Sequence, residues 1–403
     1  MNIQKKDGCP KYFEFFNSVK IISGYKALEN ISSELDLLGA KRPIIITDKG
    51  VNNAGLMDHV VNSFGGTQIT IGAVYDDTPV DSSNVAVNEI AGIYRQQQCD
   101  SIIAVGGGSV IDTAKGVNIV ISEETDDLMK FAGNNRLTKT MRPFIVVPTT
   151  AGTGSEVTMA AVIANPAQNV KMQFTSPLIL PKVAVLDPVM TMSMPPKITA
   201  ATAMDALTHA VEAYIGPQKN PVSDAFAFSA IELIKENIIS ATKNGGDKDV
   251  RLAMANASLL AGVSFSNSMV GIVHALAHAT GGRCHVPHGI ANAILLPHGL
   301  EFYLKKSPET AERIGKLLRF FIEPEDYAKV PASERKIKTI AAIRDINDNL
   351  HKLCGLPLTL SQAGVTKDKL ESIAQVALND GAMAFCPVEI SHEEAMDVLQ
   401  AAF

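Results

Sequence analysis

Along the first half of the chain, short apolar runs alternate with longer stretches in which apolar residues return every three or four positions. The runs at residues 19–22, 43–47 (PIIIT), 69–75, 101–105 (SIIAV) and 144–147 are rich in Ile and Val and too short for helices, so they predict strands. The stretches at 25–38, 53–64, 82–98 and from Ser109 onward carry helical spacing. Strands separated by helices of this length predict βαβ units and a mostly parallel sheet covered by helices. Beyond Asp187-Pro188 the pattern changes. Helical periodicity occupies 200–214, 223–243, 249–263, 270–279, 310–320, 334–353 and 367–378, and no internal repeat or low-complexity tract interrupts it. The expectation is an α/β domain over 1–187 and an all-helical domain over 188–403.

Length and composition support that division and narrow the partners. A chain of 403 residues, 46% apolar and 19% charged, can build two cores. A net charge of −6 without a Lys/Arg run argues against nucleic acid or an anionic membrane as the main partner. No apolar run reaches the length of a membrane span, and residues 1–10 (MNIQKKDGCP) lack the apolar core of a signal peptide. Cys9, Cys99, Cys284, Cys354 and Cys386 are scattered and odd in number. Free thiols in a reducing, cytoplasmic compartment are the expectation.

The densest chemistry lies at residues 271–300, GIVHALAHATGGRCHVPHGIANAILLPHGL. These thirty positions hold five of the nine histidines, four of them, His274, His278, His285 and His288, close together. His274 and His278 are at i and i+4 on one helical face, and Gly281-Gly282 is expected to break that helix, leaving His285 and His288 in a turn. Histidines this crowded among apolar and small residues point to a metal site, because neutral imidazole is a common ligand for Zn and Fe. A second helix, 198–216, carries Asp205 and His209 at i and i+4, with Glu212 near the same face. An Asp-x-x-x-His helix facing a His-x-x-x-His helix gives a ligand set suited to Zn²⁺, Fe²⁺ or Mn²⁺. Spacing does not decide which of the four clustered histidines bind, and it favours the i,i+4 pair. Cys284 reads as a bystander.

The α/β half carries a second signal, SIIAVGGGSVIDTAKG. A strand runs into Gly106, Gly107 and Gly108, and a helix follows that Ser109 is expected to cap, with Asp112 as its capping-box partner. Such a turn lets backbone approach a pyrophosphate at a helix N-terminus. A second polar loop, PTTAGTGSEVT at 148–158, follows the next strand and supplies Thr149, Thr150, Thr153, Ser155 and Thr158 at a strand's C-terminal end, where open α/β sheets bind ligands. Asp48 ends the PIIIT strand and reads equally well as a ribose acceptor or as a turn or helix cap. A nucleotide cradle joined to a metal site suggests metal-assisted hydride transfer.

With GGGSVIDTAKG, PTTAGTGSEVT, DALTHAVEAYI, HALAH and PHGIANAILLPH in order over nearly the full length, the chain resembles the iron-containing (group III) alcohol dehydrogenases. The resemblance implies a Rossmann-like α/β domain plus an all-α domain, the dehydroquinate synthase-like architecture. It implies an NAD-dependent oxidoreductase interconverting a small primary alcohol or diol and its aldehyde, in a homodimer or larger homo-oligomer. It puts the metal, Fe²⁺ with Zn²⁺ as alternative, on Asp205, His209, His274 and His288, and makes His278 a catalytic proton relay. Carried over for the cofactor are Asp48 at the adenine ribose, Gly106, Gly107, Gly108, Ser109 and Asp112 at the pyrophosphate, and Thr149, Thr150, Thr158 and Lys171. An acid at position 48 favours NAD over NADP, because it repels a 2′-phosphate. Lys171 also reads as a solvated strand lysine. A metal-dependent lyase or synthase of the dehydroquinate synthase type and a glycerol-type polyol dehydrogenase are the alternatives. The loop 281–287 (GGRCHVP) is expected to shape the substrate pocket, the segment 384–391 (AFCPVEIS) lacks the Asn-Pro-Arg common among relatives, and 323–335 reads as a charged surface excursion.

Overall fold

The structure, a computed structural model, describes residues 10–403 apart from Asn169, so Cys9 and most of the N-terminal stretch read for a signal peptide lie outside the described residues. The chain forms two compact units. One comprises Asn17–Pro195 with Asn244–Gly262; the other comprises the residues up to Phe16, Pro196–Lys243 and Val263–Phe403. The sequence pattern places its single cut at 187/188, whereas the backbone groups the 244–262 segment with the first unit.

In the first unit the elements run β1 (Lys20–Ser23), α1 (Ile31–Leu37), β2 (Pro43–Ile46), α2 (Lys49–Asn53), α3 (Leu56–Asn62), β3 (Ala73–Tyr75), α4 (Asn84–Gln96), β4 (Ser101–Gly106) and α5 (Gly108–Ser122). They continue through β5 (Gly133–Asn134), β6 (Phe144–Pro148), β7 (Ala160–Asn165), β8 (Val170–Thr175) and β9 (Val183–Leu186). Six strands form a parallel sheet in the order β1-β9-β6-β4-β2-β3. Its central strands are buried on both faces, as Ile/Val-rich parallel strands must be. Ile44, Ile46, Ile102 and Phe144 pack with Val87, Ile90 and Val117 on one side. Ile45, Ile103, Ile145 and Val185 pack with Ile31, Leu35 and Val60 on the other.

Several expectations change. The helix read at 53–64 shortens to α3, because α2 ends at Asn53 and Gly55 takes a left-handed conformation (φ 72°) before the next helix starts. The strand at 69–75 shrinks to an edge strand over its last three residues. The strand β9 and the antiparallel pair β7–β8, which forms a small second sheet with β5, were not read from the sequence. The capping box at Ser109 does not form: Gly107 is the N-cap of α5, with no side-chain cap bond. The Ser109 hydroxyl instead donates to the Val80 carbonyl, and Asp112 turns inward to accept from Ser155 Oγ (2.7 Å) and Val162 N (2.9 Å).

The second unit contains α6 (Pro196–Ile215), α7 (Pro221–Lys243), the end of α8 (Lys248–Ser266), α9 (Ile272–Cys284), α10 (His288–Lys306), α11 (Pro308–Lys316), α12 (Pro324–Lys329), α13 (Ala332–Cys354), α14 (Leu370–Ala377) and α15 (His392–Ala402). The excursion at 323–335 is therefore partly helical. From Thr199 onward α6 is almost wholly buried, and α7, α9 and α10 pack on it. Gly281-Gly282 does not break α9. Two glycines cost roughly 1 kcal/mol each in a helix but do not forbid it, and the stop comes at His285 (φ 57°), just before Pro287. His288 is therefore the first residue of a helix, α10, rather than part of a turn. Gly289 lets that first turn lie directly on α6, since a Cβ there would collide with the Ala201 carbonyl.

Among the described residues no helix is long and apolar enough to cross a membrane, and Cys99, Cys284, Cys354 and Cys386 are unbridged.

Candidate metal centre and cofactor loops

Three helices of the second unit deliver the four residues Asp205, His209, His274 and His288 to one point. Asp205 and His209 stack one turn apart on α6, His274 comes from α9, and His288 opens α10. One ligand-capable atom from each lies within 4.8 Å of all the others. Asp205 Oδ1 is 3.4 Å from His288 Nε2 and 3.8 Å from His274 Nε2. Asp205, His209 and His274 are buried and His288 is half-buried. The His209 ring is sandwiched by Phe265 and His274, with centroids 4.1 and 4.3 Å away.

Glu212, one further turn along α6, sets the chemistry of His274. Its Oε2 accepts from His274 Nδ1 at 2.6 Å, and its carboxylate also accepts the backbone N–H of Val273 and His274. The Nδ1 proton is thus held outward and the Nε2 lone pair points at the cluster. Burial, reinforced by the neighbouring His209, His288 and His278, holds the His274 pKa well below the ordinary imidazole range. Burial also lifts the Glu212 carboxyl to about 7 against the pull of those backbone N–H groups. One carboxylate and three imidazoles converging in a largely buried site fit Fe²⁺ or Zn²⁺ by donor chemistry.

The remaining histidines separate from this cluster. His278 is exposed, one turn beyond His274 in the middle of α9, and its Nδ1 lies 3.0 Å from Asp380 Oδ2. Burial pushes the Asp380 carboxyl up, but the His278 hydrogen bond and charge outweigh it and the net shift is downward. The His278 and His288 rings stack at 5.1 Å. His285 is exposed at the end of α9, and His298 is mostly buried, which lowers its pKa to about 4. Cys284 is outside the cluster, with its thiol pushed up by burial.

In the first unit, β4 and β6 are parallel neighbours with Gly106 opposite Pro148, so the loops that follow them lie side by side. Thr149 N donates to the Gly106 carbonyl at 3.1 Å. A Cβ at Gly108 would meet Thr153 at 2.9 Å, so a side chain there would push the loops apart, and one at Gly107 would stand a tight 3.2 Å from Thr150 Oγ1. Asp48, at the end of the next strand β2, caps α2 by accepting from Val51 N at 2.9 Å. Lys171 is exposed on β8 with Asp81 at 3.5 Å. Thr158 turns inward: its hydroxyl lies 3.1 Å from Lys115 Nζ, which also reaches Ser155 Oγ and the carbonyls of Thr158 and Ala160. Lys115 is fully buried, which brings its pKa down to about 8. Its neighbours Asp112 and Glu156 are both raised by burial, Glu156 to about 7.

Four groups in this architecture received no role from sequence reasoning. Glu212 repeats the Asp205 face at i+7, Asn292 follows His288 at i+4, and Lys115 follows Asp112 at i+3, so helical spacing carried a signal for each. Asp380 is about a hundred residues from His278 and carried none.

Comparison with known proteins places the chain among enzymes. The profile described as iron-containing alcohol dehydrogenase matches residues 18–188, and the C-terminal profile of the Fe-containing alcohol dehydrogenase family matches 199–403. The chain is 37% identical to the 1,3-propanediol dehydrogenase of Klebsiella pneumoniae, over 94% of this chain and 96% of that one. It is 34% identical to the NAD-dependent methanol dehydrogenase of Bacillus methanolicus, over 91% and 93%. The crystal structure of a 1,3-propanediol oxidoreductase superposes with a TM-score of 0.91 at 36% identity, covering 98% of this chain and all of the other.

Proposed function

Because this chain belongs to the iron-containing alcohol dehydrogenase family, whose members interconvert alcohols and aldehydes with NAD, we propose that it oxidises small primary alcohols or short diols at an Fe²⁺ centre held by Asp205, His209, His274 and His288. The convergence of those four side chains in a buried site carries the assignment of ligands. Relatives named for 1,3-propanediol and methanol support the substrate class. Zn²⁺ suits the same donors and is the second candidate.

When bound, a divalent cation supplies Lewis acidity that stabilises a deprotonated alcohol near neutral pH, and NAD supplies the hydride acceptor. The chain's own residues do the rest. Glu212 keeps His274 in the tautomer that offers Nε2. Gly106, Gly107, Gly108 and Ser109, with the Thr149–Thr150 backbone alongside, cradle the pyrophosphate at the start of α5, and Asp112 and Thr158 brace the two loops against each other through Ser155 and Lys115. Asp48 is available to a ribose diol with its second oxygen while capping α2, and Lys171 offers a cation at the edge of the cofactor site. His278 Nε2 accepts the alcohol proton and passes it to solvent, while Asp380 holds Nδ1 and so fixes the ring. The scattered cysteines support a cytoplasmic location, and the family resemblance supports a homodimer or larger homo-oligomer.

The deciding experiment strips the protein of metal, reloads it anaerobically with Fe²⁺ or Zn²⁺, and follows NADH absorbance with a panel of short alcohols and diols. NADH formed only after reloading is the expected result. Bound NAD that never turns over would instead support a lyase. His278→Ala is expected to lower turnover by roughly 10²-fold and change its pH profile, with metal content remaining at one ion per chain. Loss of metal in this variant would make His278 a ligand and remove it from the proton path.

A further inference from the structure

Asn292 stands one turn into α10, four residues after His288, and is fully buried. Its side-chain nitrogen donates to Asp205 Oδ1 at 2.6 Å and lies 3.1 Å from His288 Nε2 and 3.3 Å from His274 Nε2. The amide therefore faces three of the four atoms that converge in the candidate centre. Its own Oδ1 is buried and has no hydrogen-bond partner among the described residues. An unsatisfied buried carbonyl is a cost that an apolar side chain of similar volume would avoid. An amide at this position is explained by what its nitrogen does.

We propose that Asn292 is a positioning residue of the metal centre: its amide nitrogen holds Asp205 Oδ1 in the direction where that oxygen and the two imidazole nitrogens meet, and so sets metal affinity and coordination. Glu212 performs the corresponding task for His274 from α6, so two of the donors are oriented by a hydrogen bond from outside the set. Asn292 also links α10 to α6 at the site, because it reads the position of Asp205 from the helix that carries His288. The inference rests on the four-ligand reading above.

The test measures metal binding directly on full-length, metal-depleted protein. Zn²⁺ affinity is read by competition with a chromophoric chelator, and the visible spectrum of the Co²⁺-loaded protein reports coordination. Asn292→Ala is expected to raise the Zn²⁺ dissociation constant about 10- to 100-fold, while the thermal midpoint of the metal-free protein shows separately whether the variant is folded. Asn292→Asp presents a carboxylate to the same three atoms; its Co²⁺ bands are expected to weaken as an extra oxygen donor enters, and this variant decides the matter if the alanine protein does not fold. An alanine variant that binds Zn²⁺ within about twofold of the unaltered protein, or an aspartate variant with an unchanged Co²⁺ spectrum, overturns the proposal. If the unaltered protein itself takes up no stoichiometric ion, the four-ligand reading fails instead, and the two failures are told apart by that control.

Discussion

Asp205→Ala is expected to leave a folded protein with metal content far below one ion per chain and alcohol oxidation reduced by roughly 10³-fold or more, the several kcal/mol of charge stabilisation a cation supplies. Asp205 is the one carboxylate among the four converging side chains, so its removal leaves three neutral imidazoles and no anion to offset a divalent charge. Two neighbours are also left unserved: the Asn292 amide loses its shortest partner, and His288 loses the oxygen 3.4 Å from its Nε2. Elemental analysis of the purified protein, with circular dichroism as the folding control, reads the outcome. His285→Ala is the matched control, because His285 is exposed at the end of α9 and outside the cluster. Retention of one ion per chain by the Asp205 variant would remove Asp205 from the ligand set.

The second large effect is on stability. Lys115→Met keeps the length of the side chain but removes the buried cation that bonds the carbonyls of Thr158 and Ala160 and whose charge acts on Asp112 and Glu156. Breaking a buried charge cluster by deleting one partner costs about 3–5 kcal/mol, because the remaining charge is left without compensation. For a unit of this size 3 kcal/mol corresponds to a thermal midpoint lower by roughly 6–12 °C. The pH dependence identifies the cause. The folded-state pKa of Glu156 is raised from 4.5 to about 7 by burial, so the native state holds its proton more tightly than the unfolded chain. Its ionisation therefore opposes folding: the cost is absent below 4.5 and fully present above about 7. Without Lys115 that cost grows, so the midpoint difference between variant and parent is expected to be larger near pH 7 than near pH 4.5. A difference under about 2 °C at both pH values would mean that the cluster contributes little to holding the loops.

The identification of a βαβ half followed by a helical half was legible because both patterns have periods that the backbone enforces. Ile44, Ile45 and Ile46 are all buried because a parallel strand has a covered face on either side, and an uninterrupted apolar run is the direct record of that. The pair β7–β8 was illegible for the opposite reason. Its residues alternate between buried and exposed only once an antiparallel partner exists, and VKMQFT alone does not show that partner. Gly281-Gly282 misled because a glycine pair raises the cost of a helix without preventing it, and the packing of Ile272–Thr280 into the core outweighs that cost.

What the amino-acid order determined by itself was the inventory: one helix bearing a carboxylate and an imidazole, another bearing two imidazoles, a glycine turn after a buried strand, and a threonine loop after the next one. These are local facts, set by residue spacing over one or two turns. Which histidines meet Asp205 was decided only in three dimensions. His274 and His278 share one helical face, yet the first meets the buried cluster and the second, one turn on, stays exposed against Asp380. His288 reaches the cluster because Gly289 lets the first turn of α10 lie on α6. Helical spacing fixes a side chain's direction around its own axis, and the position of one axis against another is set by packing contacts between residues distant in sequence.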